Sequence, residues 1–253
     1  MKKLILALGG FAVSGCVSSE NQIREAIKKN PDIVFEAIEE NPVRFIESVN
    51  RAAQKAQQAQ YEQHASEMKK GQERDLKNPK QPKLSEERRL IGDDKAPIVL
   101  VEYVDFQCPA CKMASESLKE FKQKHKNDIQ VYYKNMPLDF HPMAFPAALY
   151  FEAIRRQDKV KALKFYEHVF AHQRQLKDEA FLKKAAAQVG AHPGKLAADV
   201  KSAAVKKTVA EDMAEFQAFG FNGTPTMILN GIALSGVQPV EKLEEIVELT
   251  RKK

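Results

Sequence analysis

Two cysteines three residues apart, in the run Cys108-Pro109-Ala110-Cys111, have the clearest capacity for chemistry in this chain. A thiolate attacks a disulfide sulfur to form a mixed disulfide, and a second thiol one helical turn away can attack that bond and release the partner. Zinc would need another Cys or His pair at ligand spacing, and the third cysteine, Cys16, stands at the far end of the chain. Covalent haem attachment needs His at position 112, which is Lys. A purely structural disulfide across so short a loop would restrain the unfolded chain little. The spacing points to redox chemistry, with Cys108 as nucleophile and Cys111 as resolving thiol, and calls for no cofactor and no metal. A rival of another class is a binding module in which the pair holds a soft ion such as Cu(I) at an oligomer interface.

The flanking segments are those that such a pair needs. Residues 98–104, Ile-Val-Leu-Val-Glu-Tyr-Val, are apolar without Gly or Pro, which predicts a central strand covered on both faces. Pro109 sets the first turn of a helix that continues through Met113, Leu118 and Phe121. Cys108 then lies at the helix N-terminus, where unpaired N–H groups and the dipole favour thiolate over thiol. Glu102 interrupts the apolar strand. A buried acid is costly unless paired or protonated, so Glu102 is either a displaced surface position or, favoured here, a buried proton-handling group.

With 253 residues the chain has room for one sizeable domain and a smaller extension. Lys2 and Lys3, an apolar run over residues 4–13 too short to span a bilayer, and Val13-Ser14-Gly15-Cys16 read as a targeting segment. That tetrad resembles the lipobox of bacterial lipoproteins, which implies cleavage after residue 15, lipidation of Cys16, and anchoring in the cell envelope; an ordinary cleaved signal with an incidental cysteine is the alternative. Val17 stands where an inner-membrane retention signal would have Asp, so an outer membrane is the expected site. The CxxC pair would then work in a periplasmic compartment where disulfides persist. A net charge of +6, with 29% charged residues and no basic cluster interleaved with aromatics, argues against nucleic acid as a partner.

Residues 16–78 are expected to be helical. Asn30-Pro31 and Asn41-Pro42 open two similar units eleven residues apart, each with Asn as N-cap and Pro at the first helical position. The first helix is too short to bury Ile33, Val34, Phe35 and Ile38 itself, and Phe45, Ile46 and Val49 share the need for a partner surface. That surface is the main domain or, favoured here, another copy of the chain, which makes residues 20–76 a homodimer or homotrimer element. A long helix over residues 43–76 follows, readable as a weak heptad or an exposed spacer. Pro79 and Pro82 mark a loose linker, residues 79–89, before a domain over residues 90–253.

Within that domain residues 129–134 predict a second strand completing a βαβ unit. Pro137 and Pro142 flank a loop holding Asp139 and His141, where a histidine near the thiols is weighed against an ordinary surface one. Residues 143–219 read as about four helices inserted over the active-site side. The run from Phe221 to Leu234 reads as strand, Asn230-Gly231 type I′ turn, strand, with Pro225 where a cis peptide would serve a close approach. Residues 240–253 form a closing helix.

Cys-Pro-Ala-Cys after a strand, a helical insertion, and Gly223-Thr224-Pro225-Thr226 before an Asn-Gly hairpin together resemble the thioredoxin fold in its DsbA-like form. The resemblance implies an α/β thioredoxin fold with a helical insertion, preceded here by an all-α extension similar in kind to those of ScsC-like oligomeric relatives. It implies that Pro225 is cis and faces the cysteines, that the backbone of Thr224 pairs with extended substrate, and that Glu102 assists proton transfer. Pro109 and Ala110 would join them at the substrate. Strongly oxidising relatives tend to carry His between the cysteines, so this pair is expected to be less acidic and less oxidising than theirs. The expected activity is thiol–disulfide exchange on unfolded or misoxidised proteins, as an oligomeric isomerase served by a membrane redox partner. A dithiol oxidase with the same residues is the alternative, and a third reading gives the N-terminal arm a chaperone role.

Overall fold

The computed structural model describes residues 20–251 and divides into two compact units between His64 and Ala65. The expected signal segment and Cys16 lie outside the described residues. The first unit contains α1 (Glu20–Lys29), α2 (Asp32–Glu40) and most of α3 (Pro42–Lys77), which runs on into the second. Asn41 caps α3 as its spacing predicts, its carbonyl accepting from Phe45 N at 3.0 Å, with Pro42 as the first helical residue. At α2 the cap falls one position late, on Pro31 rather than Asn30. No residue of α1 or α2 is buried, and Phe35 is 61% exposed.

In the second unit five strands form one sheet in the order β1-β3-β2-β4-β5. They are β1 (Arg89–Ile91), β2 (Ile98–Val104), β3 (Ile129–Asn135), β4 (Thr226–Leu229) and β5 (Ile232–Ser235). β2 lies parallel to β3 and antiparallel to β4, and every residue of it but Val99 is buried, so it is the covered central strand that its composition predicts. The parallel pair requires a crossover, which α4 (Pro109–Lys124) supplies. Its buried face is Cys111, Ala114, Leu118 and Phe121. Met113 points outward at 59% exposure, because the stripe through Cys111 and Leu118 leaves position 113 on the far side of the helix.

The insertion holds five helices rather than about four: α5 (Ala144–Gln157), α6 (Lys159–Ala171), α7 (Glu179–Gln188), α8 (Pro193–Asp199) and α9 (Ala203–Ala218). The extra break falls at Asp158, which is extended and accepts from Lys161 N at 3.0 Å as the cap of α6. Neither Gly nor Pro marks it, so the periodicity ran through. Phe106, at the end of β2, packs against Phe151 of α5 and Phe165, Tyr166 and Phe170 of α6, which joins insertion and sheet in one core. The closing helix is α10 (Val240–Arg251).

The expected linker is not loose. Lys80 N donates to Gly231 O at 2.8 Å, Lys83 N to Glu215 Oε2 at 2.7 Å, and Ala233 N to Asp75 Oδ2 at 2.9 Å. The end of α3 and the Pro79–Pro82 stretch therefore pack on the β4–β5 hairpin, and residues 89–91 form an edge strand too short to show alternation. Proline fixes φ and ends helices, but it does not prevent an extended chain from pairing along a sheet edge. The hairpin turn has Asn230 at φ 48° and Gly231 at φ 85°, as a type I′ turn requires.

A Cβ at Gly231 would stand 2.6 Å from Pro79 Cβ, whereas one at Gly236, also at positive φ (76°), meets nothing within 4 Å. Gly231→Ala is expected to cost roughly 2–3 kcal/mol and Gly236→Ala about 1 kcal/mol in urea unfolding. Equal losses would show that the packing of the 79–83 segment on the turn contributes nothing.

Candidate active site

β2 delivers its C-terminal end to a tight turn in which the side chain of Asp105 accepts from Gln107 N at 2.7 Å and from Cys108 N at 3.1 Å. Cys108 is the N-cap of α4, with Pro109 following, so the first N–H groups of the helix are left without intrahelical acceptors. The chain around Cys108 is tied down from the insertion as well: Gln173 Nε2 donates to Phe106 O and to Cys108 O, both at 2.9 Å. Gln107 Nε2 donates to Leu176 O at 3.1 Å, and Gln107 Oε1 accepts from Met143 N. Pro109 is exposed and Ala110 half-buried, so the tip of the turn is open to a partner.

The other wall is the loop before β4. The Thr224–Pro225 peptide is cis, and Cys108 Sγ lies 3.4 Å from Thr224 O. Thr224 Oγ1 is buried with no hydrogen-bond partner. A thiolate cannot donate to the carbonyl, but it is the acceptor that this hydroxyl lacks. The pKa of Cys108 is lowered to about 5, chiefly by the hydrogen bond from the Cys111 thiol. Burial opposes the shift, while the Thr224 side chain and the N–H groups of Cys111 and Ala110 add to it. Burial, then the neighbouring Cys108, push the Cys111 thiol far up, so the pair holds one charge and one proton. This acidity arises with no imidazole between the cysteines.

Glu102 is 3% exposed and lines a small crevice with Cys111, Tyr166, Pro225 and Met227. Its two oxygens accept from Lys122 Nζ and from Tyr166 OH, each at 3.1 Å, and Lys122 Nζ also donates to Tyr133 OH at 2.6 Å. The ammonium lies over the rings of Tyr133 and Tyr166, at 5.1 and 5.5 Å from their centroids. Burial beside the carboxylate pushes both phenols well above their ordinary range, so they stay donors.

The structure brings together Cys108, Cys111, Thr224, Pro225 and Glu102, which the sequence places at 102–111 and 224–225. His141 sits beside them, its Nδ1 2.7 Å from Asp105 Oδ2. Asp105, Gln107, Lys122, Tyr166 and Gln173 were not singled out from the sequence. Asp105 had a readable signal, an Asp three residues before the helix cap, and Lys122 lies on α4 three turns beyond Cys111. Tyr166 and Gln173 arrive from the insertion and leave no local pattern. Among the described residues there is no group of three or more His, Cys, Asp or Glu placed to hold a metal, and no helix is long and apolar enough to cross a membrane.

Residues 84–249 match the family model described as Thioredoxin. Among curated proteins, Na(+)/H(+) antiporter NhaA 1 of Mycolicibacterium vanbaalenii is 33% identical over 167 residues, 64% of this chain and 26% of the antiporter. The chain thus spans about a quarter of the length of the antiporters it matches. The Probable disulfide bond formation protein D of Bacillus cereus is 29% identical over 155 residues, 57% of this chain and 70% of that protein. Among solved structures, oxidised BdbD from Bacillus subtilis superposes with a TM-score of 0.61 at 22% identity, covering 69% of this chain and 98% of that one. With a family match over most of its length and this fold likeness, the chain belongs to the thioredoxin family and has the DsbA-like form of its fold.

Proposed function

We propose that this protein is a thiol–disulfide oxidoreductase that exchanges disulfides with folding proteins outside the cytoplasm. The observation that carries the reading is the sulfur of Cys108, at a helix N-terminus and 3.4 Å from the carbonyl that precedes a cis proline. Cys108 is the nucleophile, Cys111 resolves the mixed disulfide, and Thr224 and Pro225 position an extended substrate across the open tip formed by Pro109 and Ala110. Glu102, poised with Lys122 over the crevice that reaches Cys111, takes the proton that Cys111 must lose before it attacks. The likeness to a protein named for disulfide bond formation supports this assignment.

The finer reading is an oligomeric isomerase, anchored through lipidated Cys16 in the outer membrane and kept reduced by a membrane partner. Its support is the bare apolar surface of the first unit, where Ile33, Phe35, Phe45 and Ile46 are exposed at 44, 61, 41 and 55%. An aqueous surface of that kind is ordinarily covered, and a second copy would set two active sites around one substrate. One observation favours the oxidase instead. An acidic Cys108 stabilises the dithiol form and so makes the disulfide a stronger oxidant.

Refolding of a scrambled multi-disulfide substrate in glutathione buffer separates the two. Full-length protein is expected to restore the native pairing, and Phe35→Asp with Phe45→Asp to leave dithiol oxidation intact but cut isomerisation at least tenfold, with a fall in mass by light scattering. A monomeric wild type, or a variant as good an isomerase, would overturn the oligomer reading. Thiolate absorbance of the reduced protein should titrate with a midpoint near 5 and vanish in Cys108→Ser. Folding depresses the pKa of Cys108 from 9.0 to about 5, so the reduced wild type should gain stability over Cys108→Ser as pH rises between those values and lose it as pH falls through 5. A flat difference would refute the buried thiolate. Glu102→Gln should slow release of the mixed disulfide by roughly 10- to 100-fold while leaving the alkylation rate of Cys108 unchanged. An effect on alkylation alone would assign Glu102 to the wrong cysteine.

A further inference from the structure

The cap of the CxxC turn poses an electrostatic problem. Asp105 has a fully buried side chain that accepts four hydrogen bonds: from Gln107 N and Cys108 N on one oxygen, and from Leu138 N (2.9 Å) and His141 Nδ1 (2.7 Å) on the other. A carboxylate fixes such a turn well, but so does a neutral Asn or Ser. The charge adds a cost that a neutral cap would avoid. It is held out of water beside a sulfur that must itself become negative, where like charges oppose one another strongly.

The partner that offsets this cost comes from a different element. His141 stands in the loop between β3 and α5, 36 residues from Asp105, with a side chain 18% exposed. Its ring is packed edge-on to Phe140 at 4.5 Å, and His141 N donates to Leu138 O at 3.0 Å, so the loop folds on itself to present the imidazole. We propose that Asp105 and His141 are a positioning pair for Cys108, in which the imidazole offsets the charge of the buried carboxylate and lets Cys108 hold its thiolate. Seen this way, the imidazole missing between the cysteines is supplied from the side, through the cap rather than by contact with sulfur. The pair rests on the redox reading of the preceding section and names the groups that set the strength of its disulfide.

The test is the equilibrium with glutathione together with the titration of Cys108, both in the full chain. Two glutathione thiols give two electrons to the protein disulfide and form their own; Cys111 takes one proton, and the other goes to water because Cys108 remains a thiolate. His141→Ala is expected to raise the midpoint of the Cys108 titration by about one pH unit and to lower the equilibrium constant for reduction about tenfold, equivalent to about 30 mV for a two-electron couple. In the Asp105→Asn background the same His141 substitution should change either quantity less than twofold. Equal shifts in both backgrounds, or none in either, would overturn the pair. Should His141→Ala fail to fold, His141→Gln keeps an N–H donor without the capacity for charge. It is expected to show most of the shift at an unchanged unfolding midpoint, and wild-type acidity in that variant would overturn the charge-offset role. A wild type whose Cys108 titrates as an ordinary thiol sinks both this inference and the redox reading, whereas an acidic wild-type Cys108 unmoved by His141→Ala sinks only the inference.

Discussion

A cysteine that is 7% exposed and yet has its pKa pulled down to about 5 must have its negative charge met on several sides at once, and most of the second unit is arranged around that requirement. The N-terminus of α4 supplies N–H groups, Cys111 supplies a thiol donor whose own ionisation is suppressed by burial, and the loop before β4 brings up the hydroxyl of Thr224. None of these groups holds the site alone. The helix start is fixed because β2, buried between β3 and β4, cannot move, and the Thr224 loop is fixed because β4 pairs with the same strand from Leu100 to Tyr103. Thiolate and opposing wall are therefore two ends of neighbouring strands.

The same central strand carries the second buried charge. Glu102 could not be held so deep without the Lys122 ammonium and the Tyr166 hydroxyl on its two oxygens, since an unpaired ion in such surroundings costs several kcal/mol. The cation comes from the helix that begins with the cysteines, and the hydroxyl comes from the insertion. The polar cluster thus clamps α4, β2 and α6 together, with the Lys122 ammonium over the rings of Tyr133 and Tyr166.

The insertion is more than a lid. Through Gln173 it holds the carbonyls of Phe106 and Cys108, through Leu176 O it holds the Gln107 side chain, and through Phe165, Tyr166 and Phe170 it forms the core beneath Phe106. The first unit follows a different logic. No residue of α1 or α2 is buried within it, and its helices expose apolar side chains such as Ile33, Phe35 and Ile46.

What the sequence by itself determined are the features written in contiguous residues: the apolar run of β2, the Pro109 start of α4, and the Asn230-Gly231 turn with both residues at positive φ. Period and turn chemistry act over a few residues, so they survive without knowledge of the fold. The break at Asp158 has only an Asp cap to mark it, with neither Gly nor Pro, and the pairing of the Lys80 backbone with the hairpin has no local mark at all. Most partners of the site belong to the same class, His141 excepted, since its loop between Pro137 and Pro142 is legible in the sequence. Lys122 lies 20 residues from Glu102, His141 36 from Asp105, Tyr166 64 from Glu102 and Gln173 65 from Cys108. Each is a common polar residue in an ordinary helix or loop, and only the packing of α4, the loop after β3 and the insertion against the sheet decided which of many such residues would meet a buried group. That selection is a matter of desolvation, since a polar side chain acquires its role when water is removed from around it, and the removal is done by the tertiary structure.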